Sequence, residues 1–400
     1  MIDQISVHNF RRLRNFSLRL QHGNILVGPN NAGKSSLLDA LRLLDACYRQ
    51  TRTQNPRPMS IKDGGTYYGY EIGANSLPFA LANVTINYSD SDAVIEFRFN
   101  TKVRAVILLH PDRSTRFYID APGGTPNTSS KFRKMLGVDI VIVPTLAPLE
   151  ADENYVADET VRRNSTTRLA SRVLRNIWLR EDVQEFNSFR ADVESAWPGV
   201  EIFKPELVRN MPPTVQMFYA EDRMQREVQW SGFGFQVWLQ IQSHLRRGTK
   251  DSILVIDEPD IYLHPDLQRR LLDQIRKRFS QFVMATHSTE MVNDAEPNEI
   301  VSINSKYRNG KRINSEEEFF SLYKYLGTKD NADFARIARA KRVIFVEGRD
   351  GKLIRRFAKK LGLDSLANPQ GPPIIQLGFF KFSASSACYL GIQGDIGFGS

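Results

Sequence analysis

Four hundred residues exceed what one ordinary hydrophobic core organises, so two or three domains are expected. Hydrophobic residues at 41% and charged residues at 25% describe a globular chain, and no segment offers the roughly 20 uninterrupted apolar residues of a membrane helix. Cys47 and Cys388 alone exclude a disulfide framework or a cysteine-rich metal site, while 54 Lys plus Arg against 45 Asp plus Glu leave a net charge of +9 that favours a polyanion such as DNA.

The first residues, Met1-Ile2-Asp3-Gln4-Ile5, begin a strand-like alternation and carry no basic-then-apolar signal, which makes a cytoplasmic location the expectation. Ile5-Ser6-Val7 and Phe16-Ser17-Leu18-Arg19-Leu20 read as half-buried strands, and Asn24-Ile25-Leu26-Val27 as a third. The third runs directly into Gly28-Pro29-Asn30-Asn31-Ala32-Gly33-Lys34-Ser35, which fits the phosphate-loop pattern G-x-x-x-x-G-K-[ST] in the strand–loop–helix setting that pattern requires. In such a loop, backbone N–H groups and a helix N-terminus cradle phosphate oxygens. Lys34 is placed to reach the β- and γ-phosphates and the Ser35 hydroxyl to ligate Mg²⁺. The predicted nucleotide contacts are therefore Asn30, Asn31, Ala32, Gly33, Lys34, Ser35 and Ser36.

Residues 35–48 read as a helix with Leu37, Leu41 and Leu44 on one face and Arg42 and Asp45 off it. Strand character returns over 82–120, in Val84–Tyr88, Val94–Phe99 and Ala105–Leu109. Val161 to Trp197 is a basic helical region containing Arg168, Arg172, Arg175 and Arg180, a pattern suited to an arm or lid that meets DNA or a second subunit.

A second α/β section spans Gln229 to Asn304. Its apolar run Ser252–Ile256 delivers Asp257 and Glu258 at the C-terminal end of a strand, the edge at which open α/β sheets bind ligands. Asp257 is expected to hold Mg²⁺, directly or through water, and Glu258 to polarise the attacking water. His264-Pro265 opens a helix, and the strand Phe282–Ala285 ends in Thr286-His287-Ser288, where His287 can bond a γ-phosphate or the attacking water.

The order Gly28–Ser36, Asp257-Glu258, His264, His287, together with the opening Ile5–Leu13, resembles the ABC-type ATPase heads of SMC, RecF and Rad50 proteins. That resemblance implies ATP and Mg²⁺ as cofactors, a homodimer of heads, and a Ser-Gly signature of one subunit closing on the nucleotide of the other. Ser231-Gly232-Phe233-Gly234-Phe235-Gln236 is the candidate signature, with an extra Phe relative to the usual pattern. The Q-loop glutamine has no clear counterpart; Glu150 or Glu153 lies in the corresponding region.

Near the end, Val343–Val346 leads to Glu347-Gly348-Arg349-Asp350, which resembles the first motif of a Toprim domain, with Glu347 as a catalytic, metal-holding acid and Asp350 beside it. An ABC head followed by a Toprim start resembles the OLD (overcoming-lysogeny-defect) family of ATPase–nucleases, some of them phage-defence effectors. A Toprim site adds a later Asp-x-Asp, and after Glu347 this sequence holds only the separate acids Asp350, Asp364 and Asp395. The tail from Ser383 lacks helical or strand periodicity, which suggests an incomplete Toprim segment.

The fold expected is α/β: an ABC-type P-loop ATPase head over 1–155 and 201–335, a helical insertion over 156–200, and a partial Toprim-like segment over 336–400. The function expected is ATP hydrolysis in a DNA-acting OLD-family protein. The alternative is a DNA-binding ATPase sensor or scaffold that controls a separate effector protein. A GTPase is disfavoured because no Asn-Lys-x-Asp motif is present.

Overall fold

The computed structural model describes residues 1–60, 66–81, 84–110, 114–313, 344–347, 351–363, 366 and 374–377. The chain divides into two compact units, Met1–Leu326 and Gly327–Ser400.

The first unit opens with β1 (Ile2–Phe10), β2 (Leu13–Arg19), β3 (Gly23–Val27) and α1 (Lys34–Gln50). Next come β4 (Arg57–Ser60), β5 (Thr66–Ile72), β6 (Ala93–Phe99), β7 (Arg104–Leu109) and β8 (Thr115–Asp120). With β1 and β2 these five form a seven-stranded antiparallel sheet of order β2-β1-β6-β7-β8-β5-β4. Its strands alternate as one-sided burial requires: β6 buries Ala93, Ile95, Phe97 and Phe99 and turns Arg98 to solvent.

α2 (Ser129–Leu136) and β9 (Ile140–Val143) lead to an intermediate region. It comprises β10 (Glu153–Asn154), α3 (Asp158–Asn164), α4 (Leu174–Arg180), α5 (Val183–Ala196), β11 (Val200–Ile202), β12 (Glu206–Val208), β13 (Thr214–Gln216), β14 (Phe218–Glu221) and β15 (Met224–Glu227). Its strands make two small three-stranded sheets, β10-β13-β12 and β11-β14-β15.

α6 (Phe233–Leu245), β16 (Ile253–Asp257), α7 (Pro265–Arg278), β17 (Gln281–Ala285), α8 (Thr289–Asp294), β18 (Ile300–Ser302) and β19 (Lys311–Arg312) complete the unit. The second large sheet has the order β19-β18-β3-β17-β16-β9 and is parallel from β18 to β9. Burial on both faces explains why β3 and β17 are buried at every position and read as apolar runs instead of alternating. α1 packs on β16 and β17 of this sheet and on β5 of the other, so it is covered from two sides.

One sequence expectation is corrected. Val84–Tyr88 is not a strand: Thr85 makes a single bridge to Phe10, and Ile86–Tyr88 form a 3₁₀ turn with Asn87 and Tyr88 at φ 51° and 56°. Arg42 and Asp45, off the apolar face of α1, are partly buried because a helix held between two sheets has little solvent face. Arg42 pairs with Asp39 and Asp257, and Asp45 with Arg49 at 2.8 Å.

In the second unit, β20 (Ile344–Glu347), α9 (Gly351–Lys360) and β21 (Ile374–Leu377) form a β–α–β unit whose strands pair in parallel, Glu347 opposite Leu377. Asp350, Asp364 and the tail from Ser383 lie outside the described residues, as does the division expected at 335/336.

Burial raises the Asp45 carboxyl to about 6 against the partial opposition of Arg49. The native state therefore holds a proton that the unfolded chain releases, and this contribution to stability is lost as pH rises from about 4 through 6. Asp45→Asn, neutral at every pH, is expected to be more stable than the parent at pH 7.5 by on the order of 1–3 kcal/mol, and so to melt at higher temperature. The gap should close below pH 4 in thermal melts across the range; a gap independent of pH would contradict the assignment.

Candidate active site

β3 ends at Val27, and the loop of residues 28–33 turns into α1 at Lys34. Two glycines give the loop its path. A Cβ on Gly28 would lie 2.3 Å from the Ile303 carbonyl oxygen, and Gly33 sits at φ 105° with Leu13 Cδ2 2.6 Å from where its Cβ would be. Lys34 is buried and folds back over the loop, its Nζ donating to the Gly28 carbonyl at 2.7 Å and the Pro29 carbonyl at 3.4 Å. Burial lowers the pKa of this ammonium, while Glu258 and Asp257 act to raise it.

The sheet order β3-β17-β16 sets the C-terminal ends of three neighbouring parallel strands side by side. β16 ends in Asp257 and is followed by Glu258, which adopts φ 50° and donates its N–H to the Ala285 carbonyl at 2.8 Å. β17 is followed by Thr286 and His287, and His287 Nε2 stands 3.9 Å from Glu258 Oε1. Asp257, Glu258 and His287 line one cleft of about 1080 Å³, together with residues 30–36, Arg11, Phe79 and Tyr88. A cleft this size is at the upper end for small-molecule sites. It brings together the predicted Asn30, Asn31, Ala32, Gly33, Lys34, Ser35, Ser36, Asp257, Glu258 and His287.

Asp257 has a partner that sequence reading missed. Arg42 Nη2 donates to Asp257 Oδ2 at 3.0 Å and Nη1 to Asp39 Oδ1 at 2.9 Å, while Arg11 pairs with the other Asp39 oxygen. Its place between apolar positions of α1 was visible in the sequence, but nothing local tied it to an acid 215 residues away.

Among the described residues no three His, Cys, Asp or Glu side chains gather as a metal cage. A Mg²⁺ that arrives with a polyphosphate needs none, since one carboxylate, a hydroxyl and phosphate oxygens suffice. Asp257 and Ser35 in the same cleft fit that donor set.

Residues 24–293, which run from β3 to α8 and so include every element of this cleft's acidic side, match a protein-family model described as "AAA domain, putative AbiEii toxin, Type IV TA system". The chain belongs to this AAA-domain family. Endonuclease GajA of Bacillus cereus (strain VD045) is 22% identical over 387 residues, an alignment that takes in 88% of this chain and 66% of GajA. The chain thus spans less than two thirds of that relative's length. Solved structures with a similar course include an SMC head bound to the C-terminal winged-helix domain of ScpA (16% identity, TM-score 0.48, 79% of this chain and 98% of that one). The SMC head domain of Thermotoga maritima (15%, 0.42, 78% and 99%) and the recombination mediator RecF (12%, 0.44, 78% and 98%) are others.

Of the other predicted residues of this AAA-domain protein, those in the first unit do not line the cleft. His264 caps α7, its Nδ1 accepting from the Asp266 N–H, and is largely exposed. Glu150 and Glu153 are not in the cleft lining: Glu150 pairs with Arg172 at 2.7 Å, and Glu153 is buried against Arg175 and Asn176. Ser231 and Gly232 stand at the N-terminus of α6, where the Ser231 hydroxyl donates to the Val228 carbonyl at 2.6 Å. Gln236 is buried there, accepting from the Leu149 N–H and donating to the Gln229 and Ser231 carbonyls, each at 2.8 Å. Glu347 ends β20 in the second unit.

Within the basic helical region one residue is corrected, Arg175, which is not accessible to DNA or to a second subunit. Arg175 is fully buried, with Nε 2.9 Å from Glu227 Oε1 and Nη1 3.5 Å from Glu153. Arg172 binds Glu150, and Arg180 binds Asp158 and stacks 4.7 Å from the Tyr155 ring. Of the four, only Arg168 is an exposed residue with no intramolecular ion pair found among the described residues. The burial of Arg175 was not visible on a helix face, because its partners Glu153 and Glu227 come from other segments.

Arg175 joins β10, α4 and the turn that precedes Ser231. Arg175→Met strips the buried Glu153 of its cation and is expected to cost about 3–5 kcal/mol in urea unfolding. Adding Glu153→Gln should restore part of that loss; full stability in the single variant would contradict a structural role for the pair.

Proposed function

We propose that this chain binds ATP with Mg²⁺ and hydrolyses it. The observation that carries this reading is the convergence of Lys34, Ser35, Asp257, Glu258 and His287 from three adjacent strand ends on one cleft. The loop N–H groups and the α1 N-terminus would receive the phosphates, with Lys34 exchanging its loop carbonyls for the β- and γ-phosphates. Asp257 and Ser35 would hold Mg²⁺, which supplies neutralisation of phosphate charge when bound. Glu258 would orient and deprotonate the attacking water, and His287, within reach of Glu258, would bond that water or the γ-phosphate. Ser231 and Gly232 would act on the nucleotide of a second copy, since in their own subunit they stand apart from the cleft. The exposed Trp230 and Phe233 beside them fit a surface that another head covers.

The substrate context proposed is DNA, supported by the net charge of +9 and by the distant likeness to an endonuclease. An OLD-type role in phage defence is part of this proposal, with Glu347 and Asp350 as its metal-binding acids.

Lys34→Ala is expected to abolish ATP binding in calorimetric titration, and Glu258→Gln to bind ATP while hydrolysing it at least about 100-fold more slowly. Hydrolysis by Glu258→Gln at the parental rate would move the base to His287 or another group. In plasmid-nicking assays with Mg²⁺ or Mn²⁺, the 400-residue chain is expected to leave DNA intact, since only isolated acids follow Glu347. Nicking that disappears in Glu347→Ala would reverse that expectation and establish a nuclease centre.

A further inference from the structure

A row of four charged side chains runs from the lip of the cleft to the strand-end acid. Arg11, whose guanidinium lies 4.3 Å from the Phe79 ring centroid, pairs with Asp39. The other Asp39 oxygen takes Arg42 Nη1, and Arg42 Nη2 takes Asp257. Arg11, Phe79 and Asp257 line the cleft, whereas Arg42 and Asp39 sit behind it. The buried Arg42 Nε has no acceptor among the described residues, so two carboxylates alone hold this guanidinium. Two cations and two anions cancel along the row.

We infer that Arg42 is a positioning residue that sets how tightly a divalent metal binds at Asp257. The inference rests on the nucleotide-site reading above and deepens it. Arg42 occupies one Asp257 oxygen at 3.0 Å and fixes the carboxylate plane, which would leave the other oxygen for a metal. Its charge beside that carboxylate would also oppose a cation bound there. Asp39 tempers that opposition by sharing the guanidinium. Affinity at Asp257 is therefore set by how Arg42 divides itself between two acids.

The division makes two substitutions act in opposite directions. Arg42→Met removes the competing cation and leaves the row one negative charge in excess. Asp39→Asn removes the sharing acid, leaves one positive charge in excess and gives the guanidinium to Asp257. Mn²⁺ with a non-hydrolysable ATP analogue, followed by electron paramagnetic resonance of free Mn²⁺, measures the affinity without turnover. Arg42→Met is expected to bind Mn²⁺ about tenfold more tightly and Asp39→Asn about tenfold more weakly, with Arg42→Lys near the parent. In steady-state hydrolysis, Arg42→Met should lower both kcat and the Mg²⁺ concentration at half-maximal rate. A merely structural role would shift both variants the same way.

If Arg42→Met fails to fold, Asp39→Asn against Arg42→Lys still decides the sign. Parental affinity in Asp39→Asn, or shifts of one sign in both variants, overturns the role assigned to Arg42 and leaves the nucleotide site standing. A parent chain that binds no Mn²⁺ with nucleotide overturns the nucleotide reading and this inference with it.

Discussion

The structure depends on the burial of α1 between two sheets. A helix covered from both sides cannot carry a free charge, so each ionisable group along it must find a partner or surrender its ionisation. Asp39 and Arg42 take the first course, and Asp45, held at the helix with Arg49, shows partial surrender. The same confinement shapes the loop at the helix N-terminus. Leu13 from the antiparallel sheet presses on Gly33, and the Ile303 carbonyl from beyond β18 presses on Gly28. At both glycines of the loop the close neighbours come from segments outside it.

A second network ties the region after β9 to the turn before α6. Gln236 bonds the Leu149 N–H, Gln240 bonds the Ala147 carbonyl at 2.8 Å, and Arg175 reaches the Glu150 carbonyl, Glu153 and Glu227. Glu227 in turn accepts from the Gln229 N–H at 2.7 Å. The position of Ser231 is thus fixed by buried polar contacts with segments that are remote in sequence. Most polar groups of this network are paired, while Arg175 Nη2 and Gln240 Oε1 are buried without a partner among the described residues, so rearranging it would leave further buried polar groups unpaired.

The cleft was legible from sequence where chemistry demands contiguous residues. Gly28–Ser36 declares itself by spacing, and Asp257-Glu258 by an apolar run that ends in acids; both signals are local, and the structure brings them together. What stayed hidden was every contact made across the fold. The partners of Arg42 and Arg175 could not be read from sequence because a helical wheel holds no record of Asp257, Glu153 or Glu227. Val84–Tyr88 alternates like a strand, yet Asn87 and Tyr88 take left-handed backbone angles that composition does not announce. Periodicity reports which residues prefer burial and says nothing about what buries them.

The sheet order carries a consequence for synthesis. β3, near the start of the chain, pairs only with β17 and β18, and the backbone of Ile2 exchanges two hydrogen bonds with the side chain of Gln281, 279 positions away. At about 5–20 residues per second, a ribosome needs on the order of 15–60 s to supply those partners. During that interval the emerging strand has neither neighbour, and its run Asn24-Ile25-Leu26-Val27 is open to any chaperone that recognises exposed apolar backbone. The Ile303 carbonyl that lies against Gly28 belongs to the same late segment, so the earliest motif to be translated meets its native neighbours only after most of the first unit has followed.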